Sequence, residues 1–281
     1  MMTRLAQGLA GVLTPLLGPS RAEGAVARAY AVIYLVYYYV SAQYARALLG
    51  IAWLILTPIL FIAVYVPILT HVFHGELPGA TGPYDYSLFI VAGFLPWVAF
   101  SDGLVQGAAS LAGSLTVVRN ATMPPSVLTT IRVLPAFASL VVGVVIFVLV
   151  LAGLGRFPGV RLILFPLSAL LLFGFTLGLA WLTASLALFV RDVLQFIPTL
   201  LLIEFFACPI VYHPSRAPGM LGKVIEWNPV TPFLALFRAS LAPTAEFAWL
   251  DLGLASAWTA GALVLGVFVF RRLEGHFGDA V

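Results

Sequence analysis

The chain has 281 residues, of which 62% are hydrophobic and only 9% are charged, and its formal net charge is +3. Soluble globular domains carry about a quarter charged residues, so this chain lacks the polar side chains needed to cover a water-soluble particle. A mean hydropathy of +1.08 indicates a membrane protein. The small net charge excludes a basic stripe for nucleic acid, and the single cysteine, Cys208, excludes an internal disulfide.

Residues 1–47 are interpreted as a cytoplasmic arm followed by an interfacial amphipathic helix. Glycines and prolines break the early apolar stretch, which does not fit a cleaved signal peptide. Between residues 25 and 47, most tyrosines, including Tyr34, Tyr37 and Tyr38, fall on the helix face opposite the arginines. Tyrosine hydroxyls favour the headgroup level, so this pattern predicts a helix lying on the cytoplasmic leaflet, in contact with membrane lipid. The same aromatic face is also suited to stacking against sugar rings, and both interpretations stay open.

Six segments are long and apolar enough to cross roughly 30 Å of hydrocarbon at about 1.5 Å per residue. They are Leu48–Thr70, Tyr86–Val105, Thr129–Leu154, Leu162–Val190, Leu194–Tyr212 and Trp249–Phe270. The predicted fold is an all-α membrane protein with a six-span domain over residues 48–270 and a cytoplasmic tail over 271–281.

The distribution of Lys and Arg predicts the orientation of these spans. Nine of the fourteen basic residues fall on the same side as the termini and five fall on the other side. The positive-inside rule therefore places both termini in the cytoplasm. The connection between the third and fourth spans runs against the rule because it carries Arg156 and Arg161, although arginine side chains can snorkel to either interface.

The cytoplasmic connection over residues 112–127 has Arg119 and Asn120 near its centre and ends on Pro124 and Pro125. A proline pair stops one helix and starts the next at a fixed angle. The segment is therefore either a short amphipathic helix that fits a groove in a cytoplasmic partner or an ordinary loop.

The outer connection over residues 213–248 contains five prolines around the apolar stretch Phe233–Leu241, which also holds Arg238. This stretch is too short to cross the membrane, so we expect re-entrant or interfacial half-helices. Non-helical backbone at membrane depth must be buried in protein or line a watery path. The segment is therefore a candidate gate at the outer mouth.

Glu204 is the one acidic residue near the middle of a predicted span, because Asp102 and Asp251 lie closer to span ends. A carboxylate inside a membrane is costly and marks a functional position. We expect Glu204 to face a conduit or a subunit interface rather than to carry protons, since no relay partner lies at similar depth. At the cytoplasmic end of the fourth span, Arg191 and Asp192 either cap the turn or contact a partner.

The sequence gives little support for an enzyme active site or for nucleotide binding. No G-x-x-x-x-G-K-[ST] phosphate loop is present, because the only lysine, Lys223, is followed by Val224. We therefore expect no cofactor in this chain, and ATP and magnesium to be bound by another polypeptide. His71 and His74 have the i, i+3 spacing of metal ligands, but no third ligand is identifiable, so no metal site is predicted.

Five sequence stretches carry a family resemblance. In chain order they are SAQYARALLGIAWLILTPIL, FLPWVAFSDGL, VRNATMPPSVL, LALFVRDVLQFIPTLL and WNPVTPFLALFRASL. Together they resemble the membrane subunit of ABC-2 type polysaccharide exporters, the family of O-antigen, teichoic acid and capsule permeases. The C-terminal FRRLEGHFGDAV is similar to the family's ending.

The resemblance implies a homodimer of six-span subunits, seated on a dimer of separate ATPase subunits, that moves a lipid-linked polysaccharide outward across the inner membrane. By position it implies the following roles: ATPase coupling for Arg119, Asn120, Pro124, Pro125, Arg191 and Asp192; conduit and glycan entry for Tyr34, Tyr37, Tyr38, Trp53 and Glu204; and the outer gate for Asn228, Pro229 and Arg238. Family members often carry a basic pair and an aromatic residue before the coupling proline. Here Asn120 follows Arg119 and Met123 precedes Pro124, so we expect contact with the ATPase to depend less on charge.

Two other functions remain compatible with the sequence. One is an ABC-2 permease for a drug or a lipid, and the other is an integral-membrane enzyme such as a glycan acyltransferase. Aromatic richness favours a glycan, although membrane interfaces are aromatic for other reasons. The enzyme would need a His or carboxylate constellation at one membrane face, and the sequence shows none.

Overall fold

The fold is taken from a computed structural model that describes residues 38, 41, 48–71, 82, 84–114, 124–214, 219–242 and 245–277. The chain forms two compact units, Met1–Ile51 and Ala52–Val281. In the first unit the described residues include Tyr38, which is exposed, and the start of a short 3-10 helix, Gly50–Ala52. The helices below belong to the second unit.

The described residues form α-helices and short 3-10 turns. The α-helices are α1 (Trp53–His71), α2 (Asp85–Ala108), α3 (Pro125–Gly153), α4 (Leu164–Phe189), α5 (Asp192–Ala207), α6 (Gly219–Trp227), α7 (Thr231–Leu241) and α8 (Trp249–Glu274). Four segments are long and apolar enough to cross a membrane: α2, α3, α4 with its preceding 3-10 turn, and α8. These four match predicted spans within a few residues.

Two ends of the bundle serve as reference points. The Asp85 end is where α2, α4 and α8 begin and α3 ends, and the Asp192 end is where α5 and α3 begin. The α4 and α8 helices run parallel, because Gly174 meets Thr259 and Gly178 meets Gly266.

Small residues bring α4 and α8 into direct backbone contact. A Cβ placed on Gly178 would overlap the backbone of Ala262, and one placed on Gly266 would overlap the carbonyl oxygen of Gly178. Thr259 adds a hydrogen bond from its hydroxyl to the Leu171 carbonyl at 3.0 Å. Two small residues spaced four apart on each helix are the usual means of close helix packing in membranes.

The α2 helix lies at the centre of the bundle, where it packs against α1, α3, α4 and α7. Gly103 and Gly107 allow this, since a Cβ at Gly107 would lie 2.6 Å from the Cβ of Ala180 on α4. Phe100 stacks on Phe175 of α4 with ring centroids 5.6 Å apart. The core therefore forms around α2 and α4 rather than between two equal layers.

Two arginines at the Asp85 end have local partners. Arg156 forms a salt bridge with Asp85, whose side chain is buried at the first turn of α2. Arg161 donates a hydrogen bond to the Ala245 carbonyl at 2.8 Å, close to the start of α8. These are the two arginines that run against the positive-inside pattern. These contacts explain why the two arginines lie at this end of the bundle. Arg156 joins the loop after α3 to the start of α2, and Arg161 joins the turn before α4 to the connection before α8.

The proline pair that precedes α3 behaves as its sequence predicts. Pro124 is the N-cap, with φ −56° and ψ 131°, and Pro125 is the first helical residue. Proline is favoured at this position because the first helical N–H has no partner within the helix. The start of α3 is fixed to the end of α2 by a 2.8 Å hydrogen bond between Ser110 and Thr129.

We expect Gly266→Ala to destabilise the protein, because the added methyl would push α8 away from the Gly178 carbonyl. Overpacking of this kind costs about 1–3 kcal/mol. The control is Gly261→Ala on the same helix, where a Cβ would meet nothing within 4 Å. In that open position alanine should be neutral or slightly stabilising, since it favours helix over glycine. Thermal unfolding midpoints in detergent compare the two variants. Equal midpoints would contradict the close contact between Gly266 and Gly178.

Candidate functional site

The α5 helix ends before the predicted fifth span does. The sequence predicts a span to Tyr212, whereas the helix ends at Ala207 and Cys208 takes an extended conformation with φ −89° and ψ 146°. Pro209 is the physical reason, because proline disfavours helical geometry in the residue before it and has no N–H to donate. Residues 208–213 continue without regular helix. We call this stretch the α5 break.

Arg238 of α7 bonds the carbonyl groups of the α5 break. Its Nη2 donates to the Pro209 carbonyl at 2.6 Å and to the Ile210 carbonyl at 3.1 Å. Its Nε donates to the Phe89 carbonyl of α2 at 3.2 Å. The next residue of the break, Val211, accepts a 2.9 Å hydrogen bond from the Tyr86 hydroxyl. Side chains from α7 and α2 thus replace the helical hydrogen bonds that α5 loses.

The residues around Arg238 form a buried site that fits its guanidinium group. The residue is only 4% exposed, and its Cζ lies 3.6 Å from the centroid of the Phe89 ring, a cation–π geometry. Gly93 leaves the space, because a Cβ there would lie 2.5 Å from Nη2. An arginine guanidinium keeps its proton even when it is buried. A charged group is therefore fixed between α2, α7 and the α5 break.

The α6–α7 hairpin reaches into the bundle. At the start of α7, Phe233 stacks on Phe175 with ring centroids 5.0 Å apart, and one turn later Phe237 meets Phe165 edge-on at 6.0 Å. Phe175 lies about 16 Å along α4 from its first residue, since each helical residue adds about 1.5 Å. The tip of the hairpin therefore lies well inside the bundle, and α7 runs back towards the Asp85 end.

Asn228 shapes the tip of the hairpin. It is buried, and its Oδ1 accepts a 2.8 Å hydrogen bond from the Val230 N–H at the start of α7. This contact across two residues is an Asx turn, and Pro229 occupies the position between them. The W-N-P sequence thus ends α6 and starts α7 within a short turn.

A small polar cluster lies where the hairpin tip meets the end of α5. The Cys208 thiol lies 3.2 Å from Glu204 Oε1 and 3.5 Å from Asn228 Oδ1, so its single proton can be donated to either. Glu204 is half-buried in the last turn of α5. Its neighbour Phe205 contacts Trp97, which lies about 18 Å along α2, so the carboxylate sits near the middle of that helix.

Aromatic side chains from three helices meet beside this cluster. Phe61 of α1 stacks on Phe94 of α2 at 4.1 Å, and Phe205 of α5 meets Trp97 edge-on at 4.9 Å. All four are half-buried rather than sealed in the core. We call them the aromatic cluster. Such rings offer flat apolar faces for stacking, and the adjacent carboxylate of Glu204 offers a hydrogen-bond acceptor.

The remaining predicted positions lie elsewhere. Arg191 is the N-cap of α5 and Asp192 its first residue; both are exposed, and the Arg191 side chain makes no capping hydrogen bond. The negative charge of Asp192 stabilises the start of α5, because it lies next to the positive end of the helix dipole. Trp53 is the half-buried first residue of α1. Four predicted positions lie outside the described residues: Tyr34, Tyr37, Arg119 and Asn120.

Sequence reasoning missed the partners of Arg238. Phe89 and Gly93 occupy one face of a helix whose apolar sequence shows no signal of a cation site. Pro209 is the signal for the α5 break in the sequence, but it lies within a long apolar run, so hydropathy extends the predicted span past it. Within the ranges described above, no three His, Cys, Asp or Glu side chains are arranged to hold a metal ion.

Arg238→Leu should destabilise the protein, because it leaves the carbonyls of Pro209 and Ile210 without the Arg238 donor and removes the second hydrogen bond to the Phe89 carbonyl. Each buried group left unpaired costs about 1–3 kcal/mol. Arg238→Lys should restore only part of the lost stability, because the compact ammonium group of lysine cannot place its N–H donors as the planar guanidinium of arginine does. As a control, Arg161→Leu removes an exposed arginine that also bonds a carbonyl. The thermal unfolding midpoints of the three variants are compared with that of the wild type. Equal decreases for Arg238→Leu and Arg161→Leu would overturn the assignment of Arg238 as the partner that holds the α5 break.

Comparison with known proteins agrees with this architecture. Residues 30–242 match the ABC-2 type transporter family. The O-antigen export system permease protein RfbA of Myxococcus xanthus is 27% identical over 242 residues, covering 83% of this chain and 89% of that protein. Two RfbA proteins of Klebsiella pneumoniae are 22% and 23% identical over 241 residues, covering 84% of this chain and 89% of theirs.

The family match covers well over half of the chain, and the relatives are matched over nearly their full length. A transport family also decides against the glycan-modifying enzyme that the sequence left open. The chain is a multi-pass membrane protein and a transport subunit, and it belongs to the ABC-2 type transporter family.

Proposed function

We propose that this chain is the permease subunit of an ATP-driven exporter that moves a lipid-linked polysaccharide out of the cytoplasm. The observation that carries the proposal is the near full-length similarity to O-antigen export permeases. The aromatic cluster beside Glu204 supports a glycan as the cargo, because sugar rings stack on aromatic faces and their hydroxyls bond carboxylates.

Energy for export comes from a companion ATPase in this proposal. The sequence has no phosphate loop, so the chain needs a partner to use ATP. The proposed contacts are Arg119 and Asn120, with Pro124 and Pro125 fixing the exit into α3, and the exposed turn at Arg191 and Asp192. Pro124, Pro125, Arg191 and Asp192 lie at the Asp192 end of the bundle, which we assign to the cytoplasm.

Six spans and cytoplasmic termini follow from the same assignment. The proposed spans are α1, α2, α3, α4, α5 with its break, and α8, in the inner membrane. Support comes from the basic residues on the cytoplasmic side and from Arg156 and Arg161, whose local partners explain their place on the outer side. The α6–α7 hairpin is then a re-entrant element that enters from outside.

A second copy of the chain completes the conduit in this proposal. Only Ile197 and Leu201 of α5 are buried, while Phe196, Ile203 and Phe206 are each 60% or more exposed. Glu204 lies on the same helix, and a carboxylate at this depth should face water or a partner rather than acyl chains. We infer that α1 and α5 of two subunits bound a shared path, with Trp53 at its lateral entry.

The outer gate is the α6–α7 hairpin with Asn228, Pro229 and Arg238. Asn228 forms the hairpin turn, and Arg238 fixes α7 to α2 and to the α5 break. Passage of a polymer then requires the hairpin to move relative to α5. The Arg238 hydrogen bonds hold the closed arrangement.

Reconstitution with the companion ATPase tests the proposal. The expected complex contains two permeases and two ATPases by native mass spectrometry, hydrolyses ATP, and carries copurified glycolipid. The permease alone should neither bind nor hydrolyse ATP. Saturable nucleotide binding by the isolated chain, or a complex that moves lipids or drugs but no glycan, would contradict it.

Coupling is tested by replacing Arg119 and Asn120 with glutamate and aspartate. Misplaced charges in a partner's groove cost more than charges on a free loop, so copurification of the ATPase and export should both be lost. Membrane insertion should be unchanged. Arg272→Glu, a charge reversal at the exposed end of α8, serves as the control. Normal copurification and export in the double variant would show that the segment is an ordinary loop.

A further inference from the structure

The chain beyond α8 turns back onto the bundle instead of continuing away from it. Phe277 lies three residues past the end of α8, and its ring meets that of Phe270 edge-on with centroids 5.3 Å apart. Two residues seven apart on one helix would stand about 10.5 Å apart along its axis. The His276 N–H donates to the Leu273 carbonyl at 2.9 Å and closes the turn. Phe277 is therefore folded back against the last turns of α8.

Phe277 is the buried residue of this turn. It is only 2% exposed, whereas Glu274, Gly275 and His276 before it are all exposed. It belongs to a hydrophobic cluster, separate from the main core, that joins the ends of α4 and α8 to the residues on either side of the α2–α3 connection. We call this the tail cluster. Its buried members are Leu111, Leu128, Ala184, Leu188, Phe270 and Phe277.

Two hydrogen bonds join the same helix ends. The buried hydroxyls of Ser110 and Thr129 are 2.8 Å apart across the α2–α3 connection. The indole N–H of Trp181 on α4 donates to the Ser126 carbonyl, in the first turn of α3, at 3.2 Å. Trp181 also packs against the tail cluster. The start of α3 is thus attached to α2 and to α4 by polar contacts as well as by apolar ones.

Both segments that we propose contact the ATPase adjoin the tail cluster. Leu128 stands three residues after Pro125, in the first turn of α3. Phe189, whose ring lies 6.5 Å from that of Phe277, stands two residues before Arg191. A close-packed protein interior has low compressibility and transmits strain. A displacement of one segment should therefore reach the other through the cluster.

On the basis of the proposed function, we propose that Phe277 is a positioning residue for the coupling of ATP hydrolysis to export. Its ring closes the tail cluster and so holds the start of α3 and the α4–α5 turn together as one body against the ATPase. Without the ring the two segments can move separately, and ATP hydrolysis then proceeds without a matching movement of the spans. In this role Phe277 contacts neither the glycan nor the nucleotide.

The coupling ratio tests this role. The assembled exporter in proteoliposomes is given ATP and a polyprenyl-diphosphate-linked oligosaccharide, and the molecules translocated are counted per ATP hydrolysed. Phe277→Ala should lower this ratio at least tenfold, because the start of α3 and the α4–α5 turn lose their common contact. ATP hydrolysis itself should stay within twofold of the wild-type rate. A wild-type ratio in Phe277→Ala would overturn the inference.

Phe147→Ala separates coupling from stability. Phe147 is fully buried, but it belongs to the main core and lies about 33 Å along α3 from Pro125, close to the Asp85 end. This variant should lower the thermal unfolding midpoint at least as much as Phe277→Ala does, yet leave the coupling ratio within twofold of wild type. A ratio that falls equally in both variants would show that Phe277 acts through stability alone, which overturns the inference.

Phe277→Leu carries the test where the alanine variant fails to assemble. Leucine keeps an apolar side chain in the tail cluster but lacks the ring that faces Phe189 and Phe270. Its coupling ratio should lie two- to fivefold below that of the wild type, and a wild-type ratio would overturn the inference while leaving glycan export standing. A wild-type exporter that hydrolyses ATP without moving the oligosaccharide would instead contradict the proposed function itself.

Discussion

Backbone groups at membrane depth must find hydrogen-bond partners within the protein, because hydrocarbon offers none. In this chain the constraint is sharpest at Pro209, where α5 ends and leaves carbonyl groups without helical partners. Arg238 bonds two of them and Tyr86 bonds the next. The interaction explains why a short apolar helix carries a buried cation. It also explains why α7 is held against both α2 and the α5 break.

The same structure separates a tightly packed part from a loosely packed one. The α4–α8 pair is joined backbone to backbone through Gly178 and Gly266, which leaves no room for either helix to shift. In contrast, α5 buries only two side chains. Regions with few buried contacts open at the lowest free energy, so movement during transport should concentrate in α5 and the hairpin rather than in α4 and α8. The Arg238 hydrogen bonds lie at the boundary between these two parts.

The sequence predicted those features that depend on local chemistry. Long apolar runs located α2, α3, α4 and α8, and the proline pair placed the start of α3 at Pro125. The apolar stretch predicted over Phe233–Leu241 is the buried α7 helix. The sequence did not reveal where α5 ends, since hydropathy continues past Ala207 and prolines also lie within helices of this chain, such as Pro198 of α5, so Pro209 alone did not mark the end. Nor did it identify Phe89 as a partner of Arg238, because the two are 149 residues apart. Asp102 was set aside as close to a span end, and only the packing of α2 shows that it is one of two exposed side chains on that helix.

The central claim is that the hairpin tip lies about halfway along α4, and disulfide crosslinking measures this directly. In a Cys208→Ser background, cysteine pairs would replace Phe175 with Phe233, Phe165 with Phe237, and Phe165 with Phe233. A short bis-methanethiosulfonate, which forms a disulfide with each cysteine, should join the first two pairs, whose rings are in contact, and should not join the third. Efficient crosslinking between positions 165 and 233, with none between 175 and 233, would place the start of α7 at the end of the bundle and contradict the account.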